Sequence, residues 1–295
     1  MSFLKGIFGK KEPPSPDSVK TSPLDPRSLT LGPGRRSRRH VAIGTAQSVG
    51  VERNHNEDAL FVLLGNAEGL NGLLDFGLFV VADGMGGHRA GEIASALSVR
   101  TVAHRLTQAT LLGLFSNPDS DGDTPPLQDL IRSALEEANQ AVVERVPGGG
   151  TTLTAAVLVG GQVTIGHVGD SRAYLISDHR TRAITRDHSL VERLRELGQL
   201  TPEEAAAHPQ RNVLYRAIGQ GANLEVDVGT HPVPWGSYLL ICSDGLWGVI
   251  PDEEIRDITL GASDPQIACE ELIRAANAAG GPDNITAVLV HFPAE

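Results

Sequence analysis

Cysteine is almost missing from this chain: Cys242 and Cys269 are the only two in 295 residues. So small a number builds no disulfide framework and points to a reducing, cytoplasmic setting. Long apolar runs are missing as well. No stretch reaches the ~20 residues that a membrane-spanning helix needs, so no membrane span is expected. The opening Met1–Lys11 holds too short an apolar stretch for a secretory signal and offers no small-residue cleavage site. Basic charge is scarce beyond the first 40 residues. There, nine Lys and Arg against three acids leave +6, so the chain's overall −11 puts residues 41–295 at −17. An acidic body is unsuited to nucleic acid, whose phosphates require a basic partner. Carboxylates in that number suit hard divalent cations instead. No internal repeat is visible.

With 40% of its residues hydrophobic, the chain has material for one large domain or two small ones. Residues 1–40 read as a disordered, basic tail, because six prolines from Pro13 to Pro33 break any regular element and few large apolar residues are available to bury. Structure is expected from about residue 41. Strand-like runs lie at 41–48, 58–64 and 76–82, followed by a helix over 90–106 and a polar loop at 113–126. Leu127, Leu130, Ile131, Ala134, Leu135 and Ala138 have helical spacing. Runs at 152–159, 162–168 and 172–177 read as strands, with Gly160-Gly161 as a hairpin turn. A short helix at 189–197 stops at Gly198, and Thr201-Pro202-Glu203-Glu204 opens another with a capping box. Strands follow at 223–231 and 237–242. The segment Ser263–Gln266 then caps a helix with Ala268, Leu272, Ala275, Ala276 and Ala279 inward, and a last strand covers 285–291. Hairpin-linked strands separated by pairs of helices exclude the regular alternation of a parallel sheet. The fold class is α+β, mostly antiparallel, with helices covering the sheet faces.

Several acids stand where an apolar strand stops. Asp83 follows FGLFVVA, Asp244 follows Tyr238–Ser243, and Asp170 follows Val163–Gly169. Asp283 precedes the last strand, and Glu57-Asp58 leads into Ala59-Leu60-Phe61-Val62. Any one alone reads as a turn residue or helix cap. Strand ends of a compact sheet converge on one rim, however, and carboxylates gathered there repel unless a cation neutralises them. A donor set of oxygens with few histidines suits Mg²⁺ or Mn²⁺ better than Zn²⁺. Gly84, after Asp83, lets a backbone carbonyl approach a metal closely. A two-metal site of this kind activates water for attack on a phosphate ester. Arg53, four residues before Glu57, is the natural clamp for the phosphate.

The set Arg53-x-x-Asn56-Glu57-Asp58, Asp83-Gly84-Met85-Gly86-Gly87-His88, Gly149-Gly150-Thr151-Thr152, Gly169-Asp170-Ser171-Arg172, Ser243-Asp244-Gly245-Leu246 and Asp283-Asn284-Ile285-Thr286 resembles the bacterial type 2C protein phosphatases, the PPM family. The motifs stand in the family's order over about residues 41–291. The resemblance implies two packed antiparallel β-sheets flanked by helices. It also implies Mn²⁺- or Mg²⁺-dependent hydrolysis of phosphoserine and phosphothreonine in proteins, with no covalent phosphoenzyme, reversing the work of a cognate Ser/Thr kinase. Carried over by the resemblance, Asp83 bridges two core ions, Asp244 and Asp283 hold one, and Glu57 and the Gly84 carbonyl serve the other. Asp58 orients water, Arg53 binds phosphate, and Asp170 with Asp244 forms a weaker third site. The resemblance also makes 41–295 the catalytic domain and 187–221 a flap beside the site. A monomer is expected.

Other signals are set aside. Asp119–Asp123 fails as a calcium loop, because its glycine is misplaced and Leu130 stands where a glutamate is needed. His88 reads as structural, since Met85 occupies the position directly after Asp-Gly that carries the family's proton-donating histidine. His167 reads as a satisfied core histidine, Cys242 as buried and inert, and Arg35–Arg39 as a solvated linker. Gly148–Gly150 lacks the Lys-Ser/Thr of a P-loop. Three rival functions were weighed: a catalytically dead phosphoprotein binder, a metal-dependent nuclease or phosphodiesterase, and a regulatory protein that docks through its tail. The complete acid set opposes the first and the −17 body opposes the second.

Overall fold

A computed structural model describes residues 40–69, 72–86, 89–111 and 125–294. The expected tail, His88 and the Asp119–Asp123 segment lie outside them. Eleven strands are found there: β1 (Ala42–Ser48), β2 (Asp58–Gly69), β3 (Gly72–Met85), β4 (Gly150–Thr151), β5 (Leu153–Val159), β6 (Gln162–Val168), β7 (Arg172–Ser177), β8 (Arg180–Ala183), β9 (Asp227–Pro232), β10 (Ser237–Cys242) and β11 (Ile285–Phe292). The helices are α1 (Arg89–Leu106), α2 (Leu127–Arg145), α3 (Leu190–Glu196), α4 (Pro202–Ala206), α5 (Asp244–Trp247), α6 (Asp252–Gly261) and α7 (Pro265–Ala278). One sheet has the order β1-β11-β10-β7-β8. The other runs β2-β3-β5-β6-β9, with β4 added at the end of β3. Every pairing is antiparallel.

Alternation along the strands explains the layering. In β3, Leu78, Val80 and Ala82 pack toward α1 and α2, while Phe79 and Val81 face the other sheet. In β10, Leu240 and Cys242 pack toward α6 and α7, while Leu239 and Ile241 face inward. Both faces of each central strand are therefore buried, which is why these strands read as continuous apolar runs. Three hydrophobic layers result, one between the sheets and one under each helical layer, and the expected sandwich of two sheets flanked by helices is the observed one.

Three expectations need correction. The strand expected at 223–231 is Asp227–Pro232. Leu224 and Val226 continue its apolar alternation and pack into the layer under α1 and α2, but their main chain is not paired. Ala279 is not on the buried face of α7; it is the exposed C-cap, and the face is instead Ala268, Cys269, Leu272, Ile273 and Ala276. The sequence reading passed over β4, β8, α5 and α6. Of these, α6 buries only Ile255 and Thr259, too few to mark a helical stripe, and is started by Pro251 and three acids in its first turn.

Candidate metal centre

The period of two that builds the inner core also builds the site. Asp83 is in phase with Phe79 and Val81, and Asp58, its direct partner across β2–β3, is in phase with Leu60 and Val62. From the opposing sheet, Thr286 is in phase with Val288 and Val290, and Ser243 with Leu239 and Ile241. The inter-sheet core thus ends in a polar layer fed by both sheets, and a cavity of about 410 Å³ opens there. Arg53, Glu57, Asp83, Gly84, Asp170, Asp244 and Asp283 all line it. Asp58 does not: it lies buried behind the wall.

Local bonds fix each acid. Asp83 gives its main-chain N–H to Thr152 Oγ1 at 2.9 Å, and its carbonyl accepts from Thr152 N–H at 2.9 Å and Thr151 Oγ1 at 2.8 Å. Asp58 Oδ2 accepts hydroxyls from Thr286 at 2.6 Å and Ser243 at 2.8 Å. Arg53 Nη2 donates to Asp283 Oδ2 at 2.7 Å. The Glu57 carboxylate rests against α1, where a Cβ on Gly91 would fall 2.1 Å from its Oε2. Gly84 is required for a reason the sequence reading did not foresee. A Cβ there would meet the Gly91 and Glu57 carbonyl oxygens at 2.4 and 2.6 Å, so both glycines let β3 and α1 touch.

The electrostatics of the acids are linked. Burial, followed by the charges of Asp58, Asp244, Asp170 and Asp283, holds the Asp83 carboxyl well above the usual carboxylate range. Burial and then Asp244 and Asp187 do the same to Asp170. Asp58 is pushed up to about 7 by burial, against the hydroxyl bonds of Thr286 and Ser243 and with the charges of Asp244 and Asp283. Asp244 is raised to about 6 by burial and then Asp283. Asp58 Oδ1 and Asp244 Oδ1 are buried without a hydrogen-bond partner among the described residues. Such a group of mutually repelling carboxylates with orphaned oxygens fits divalent cations. Among the described residues no three candidate ligands already enclose a single point.

Two contributions escaped the sequence reading. Asn284, quoted there only as part of a motif, brackets the Val49–Glu57 loop. Its Nδ2 donates to the Val49 and His55 carbonyls, and its Oδ1 accepts from Glu57 N–H, all at 2.8 Å. Asn212 and Leu214 of the 187–221 segment enter the cavity wall. The ends of that segment are tied by the bridges Ser189–Leu214 and Thr151–Ile218, a long-range pairing with no local signal. His167 is the satisfied core histidine expected, bonded to Thr154 Oγ1 at 2.9 Å and the Arg186 carbonyl at 3.0 Å, with burial lowering it to about 3. Cys242 is fully buried, and burial raises its thiol.

A family model described as "Protein phosphatase 2C" matches residues 52–282. Protein phosphatase PhpP of Streptococcus pneumoniae is 40% identical over 262 residues, covering 86% of this chain and 99% of that protein. The crystal structure of the Mycobacterium tuberculosis serine/threonine phosphatase PstP/Ppp aligns with a TM-score of 0.71 at 32% identity, over 86% of this chain and 99% of the other. A structure of the PstP catalytic domain in complex with two manganese ions aligns with a TM-score of 0.68 at 32% identity, over 85% and 97%.

Proposed function

The chain belongs to the protein phosphatase 2C family, and from that premise we propose that its carboxylate-lined cavity is where water attacks phosphoserine and phosphothreonine of protein substrates. It is a metal-dependent serine/threonine protein phosphatase. The observation that carries the assignment of the site is the convergence of Glu57, Asp83, Asp170, Asp244 and Asp283 on one cavity with Arg53 in its wall.

Asp83, Asp244 and Asp283, with Glu57 and the Gly84 carbonyl, would hold two core cations, Asp83 serving both, Asp244 and Asp283 one, and Glu57 with Gly84 the other. Asp170 with Asp244 would hold a third, weaker ion. Mn²⁺ or Mg²⁺ bound there supplies charge neutralisation and lowers the pKa of water into the neutral range. Arg53, half-exposed at the cavity wall, exchanges part of its bond to Asp283 for the substrate phosphate and holds it in line. Asp58, whose Oδ2 is occupied by two hydroxyls and whose buried Oδ1 has no partner among the described residues, would orient metal-held water from behind the cavity wall. As the water oxygen bonds phosphorus, the bond to the side-chain oxygen breaks; one water proton ends on that oxygen, releasing the serine or threonine hydroxyl, and phosphate departs without joining the protein covalently.

Residues 41–295 form the catalytic domain in this reading, with 1–40 a dispensable tail. The enzyme works as a monomer in the cytoplasm against a cognate Ser/Thr kinase. No helix among the described residues is long and apolar enough to cross a membrane. The test is phosphate release from a phosphothreonine peptide and from a phosphodiester, with and without Mn²⁺. Mn²⁺-dependent release from the peptide is expected. Hydrolysis of the diester alone would mean a nuclease, and no release from either would mean a binding protein.

A further inference from the structure

Asp170 lies in the turn between β6 and β7, and Asp244 opens α5 after β10. The β7–β10 ladder ends at the pair Arg172–Cys242, so each acid stands two residues beyond it, where the two chains are no longer paired. A chain of side-chain contacts holds them beyond that point. Trp247 ends the single turn that Asp244 begins, and its Nε1–H donates to the Asp170 carbonyl at 3.0 Å. The Arg172 guanidinium lies 3.5 Å from the centre of the same indole ring. Arg172 is itself fixed by a two-point grip on the buried Asp187, from Nε at 3.0 Å to Oδ1 and 3.2 Å to Oδ2, and from Nη2 at 2.7 Å to Oδ2. The next residue, His188, gives its main-chain N–H to the Gly169 carbonyl at 2.7 Å and accepts Gly169 N–H on Nδ1 at 3.1 Å. Gly169 and Arg172, on either side of Asp170, are thereby pinned, and the Trp247 bond ties the Asp170 carbonyl itself to the helix that carries Asp244.

We propose that Trp247 is a positioning residue that couples Asp244 to Asp170 beyond the end of the β7–β10 ladder and so fixes the final spacing of the third cation site. The inference rests on the reading that these two carboxylates share a cation. Trp247 touches neither substrate nor reacting atoms. It acts through the Asp170 carbonyl, and the stacked, doubly bonded Arg172 keeps the indole from turning away.

The chain has two tryptophans, Trp235 and Trp247, so Trp235→Phe leaves Trp247 as the sole indole emitter. Mn²⁺ is paramagnetic and quenches an indole near it. Titration of the full-length Trp235→Phe protein with Mn²⁺ is expected to quench emission in a weak phase that Asp170→Ala removes. Calorimetric Mn²⁺ titration of Trp247→Phe, which keeps an aromatic ring under Arg172 and loses the N–H, is expected to raise the Kd of the weak phase about tenfold. The tight phase and the melting temperature should hold. Arg172→Lys, which loses the two-point bond to Asp187, should weaken the same phase and serves if Trp247→Phe folds poorly. A weak phase present in the wild type and unmoved in the variants overturns the coupling. A weak phase missing from the wild type overturns the shared-cation reading and the inference with it.

Discussion

Asp58 and Asp83 are direct partners in the β2–β3 ladder, so two carboxylates project from the same face of one sheet at adjacent positions. Residues so paired have Cβ atoms about 4.5–5.5 Å apart, and like charges there destabilise a sheet. Burial and the neighbouring carboxylates raise both acids. The sheet tolerates them by protonation or by cation binding, and the two remedies have opposite pH dependence.

Metal-free protein should lose stability as pH rises. A folded-state pKa near 7 for Asp58, against 3.8 unfolded, means that the folded chain holds the proton more tightly. That contribution is complete below about pH 4 and is lost as pH passes 7, a change on the order of a few kcal/mol. Melting curves in EDTA from pH 5 to 8 should show it, and Asp58→Asn should flatten the slope. With saturating Mn²⁺ the slope should reverse, because ligands must be ionised. A pH-independent melting temperature in EDTA would contradict the linked-carboxylate picture.

Asp83→Asn should lower kcat at least about a hundredfold while the protein stays folded. Removing a repelling charge should leave the metal-free melting temperature unchanged or higher. Excess EDTA should abolish wild-type activity in the same assay. Near-normal turnover in the variant would misplace the centre.

Arg53→Ala should raise KM for a phosphopeptide. The lost charge-assisted contact is worth ~1.5–3 kcal/mol, or on the order of 10–100-fold in kcat/KM. Stability should change by less than about 1 kcal/mol, since the Arg53–Asp283 pair is exposed on its arginine side. Unchanged kinetic constants would make Arg53 a loop residue that happens to pair with Asp283.

Asp170→Ala should keep tight metal binding and lose turnover. The loss should be larger on phosphoproteins than on para-nitrophenyl phosphate, whose good leaving group needs less assistance. Equal fractional losses with a lower melting temperature would identify Asp170 as a turn residue. Disappearance of tight binding would move it into the primary pair.

Asn284→Ala should cost about 2–4 kcal/mol, because it orphans two carbonyls and one N–H of the Val49–Glu57 loop. Urea denaturation and peptide hydrolysis should both suffer, since the same loop carries Arg53 and Glu57. A stable variant with wild-type kinetics would show that the loop holds its shape without the bracket.

How much of this was legible in advance depends on the range of the interaction. The strand ends and their acids were readable because apolar runs buried on both faces stop abruptly at a charged residue, as FGLFVVA does at Asp83. The capping box of Thr201 and Glu204 was readable because its partners are three residues apart. Helix α6 was missed because its buried stripe is two residues wide, and Ala279 was misplaced because helical spacing continues past the point where the helix ends.

The sequence by itself determined which acids stand at the strand ends, since residue type and strand-end position are local properties. It also determined the layer architecture, through alternation that buries both faces of the central strands. The tertiary structure alone decided that Asp58 lies behind the cavity wall while Asp83 lies in it, and that Gly84 is needed against Gly91. It alone decided that Asn284 grips a loop more than two hundred residues earlier in the chain, and that Trp247 reaches the carbonyl of Asp170. Each of these is a contact between residues far apart along the chain, fixed by how two sheets pack, and packing of that kind leaves no periodic trace in the sequence.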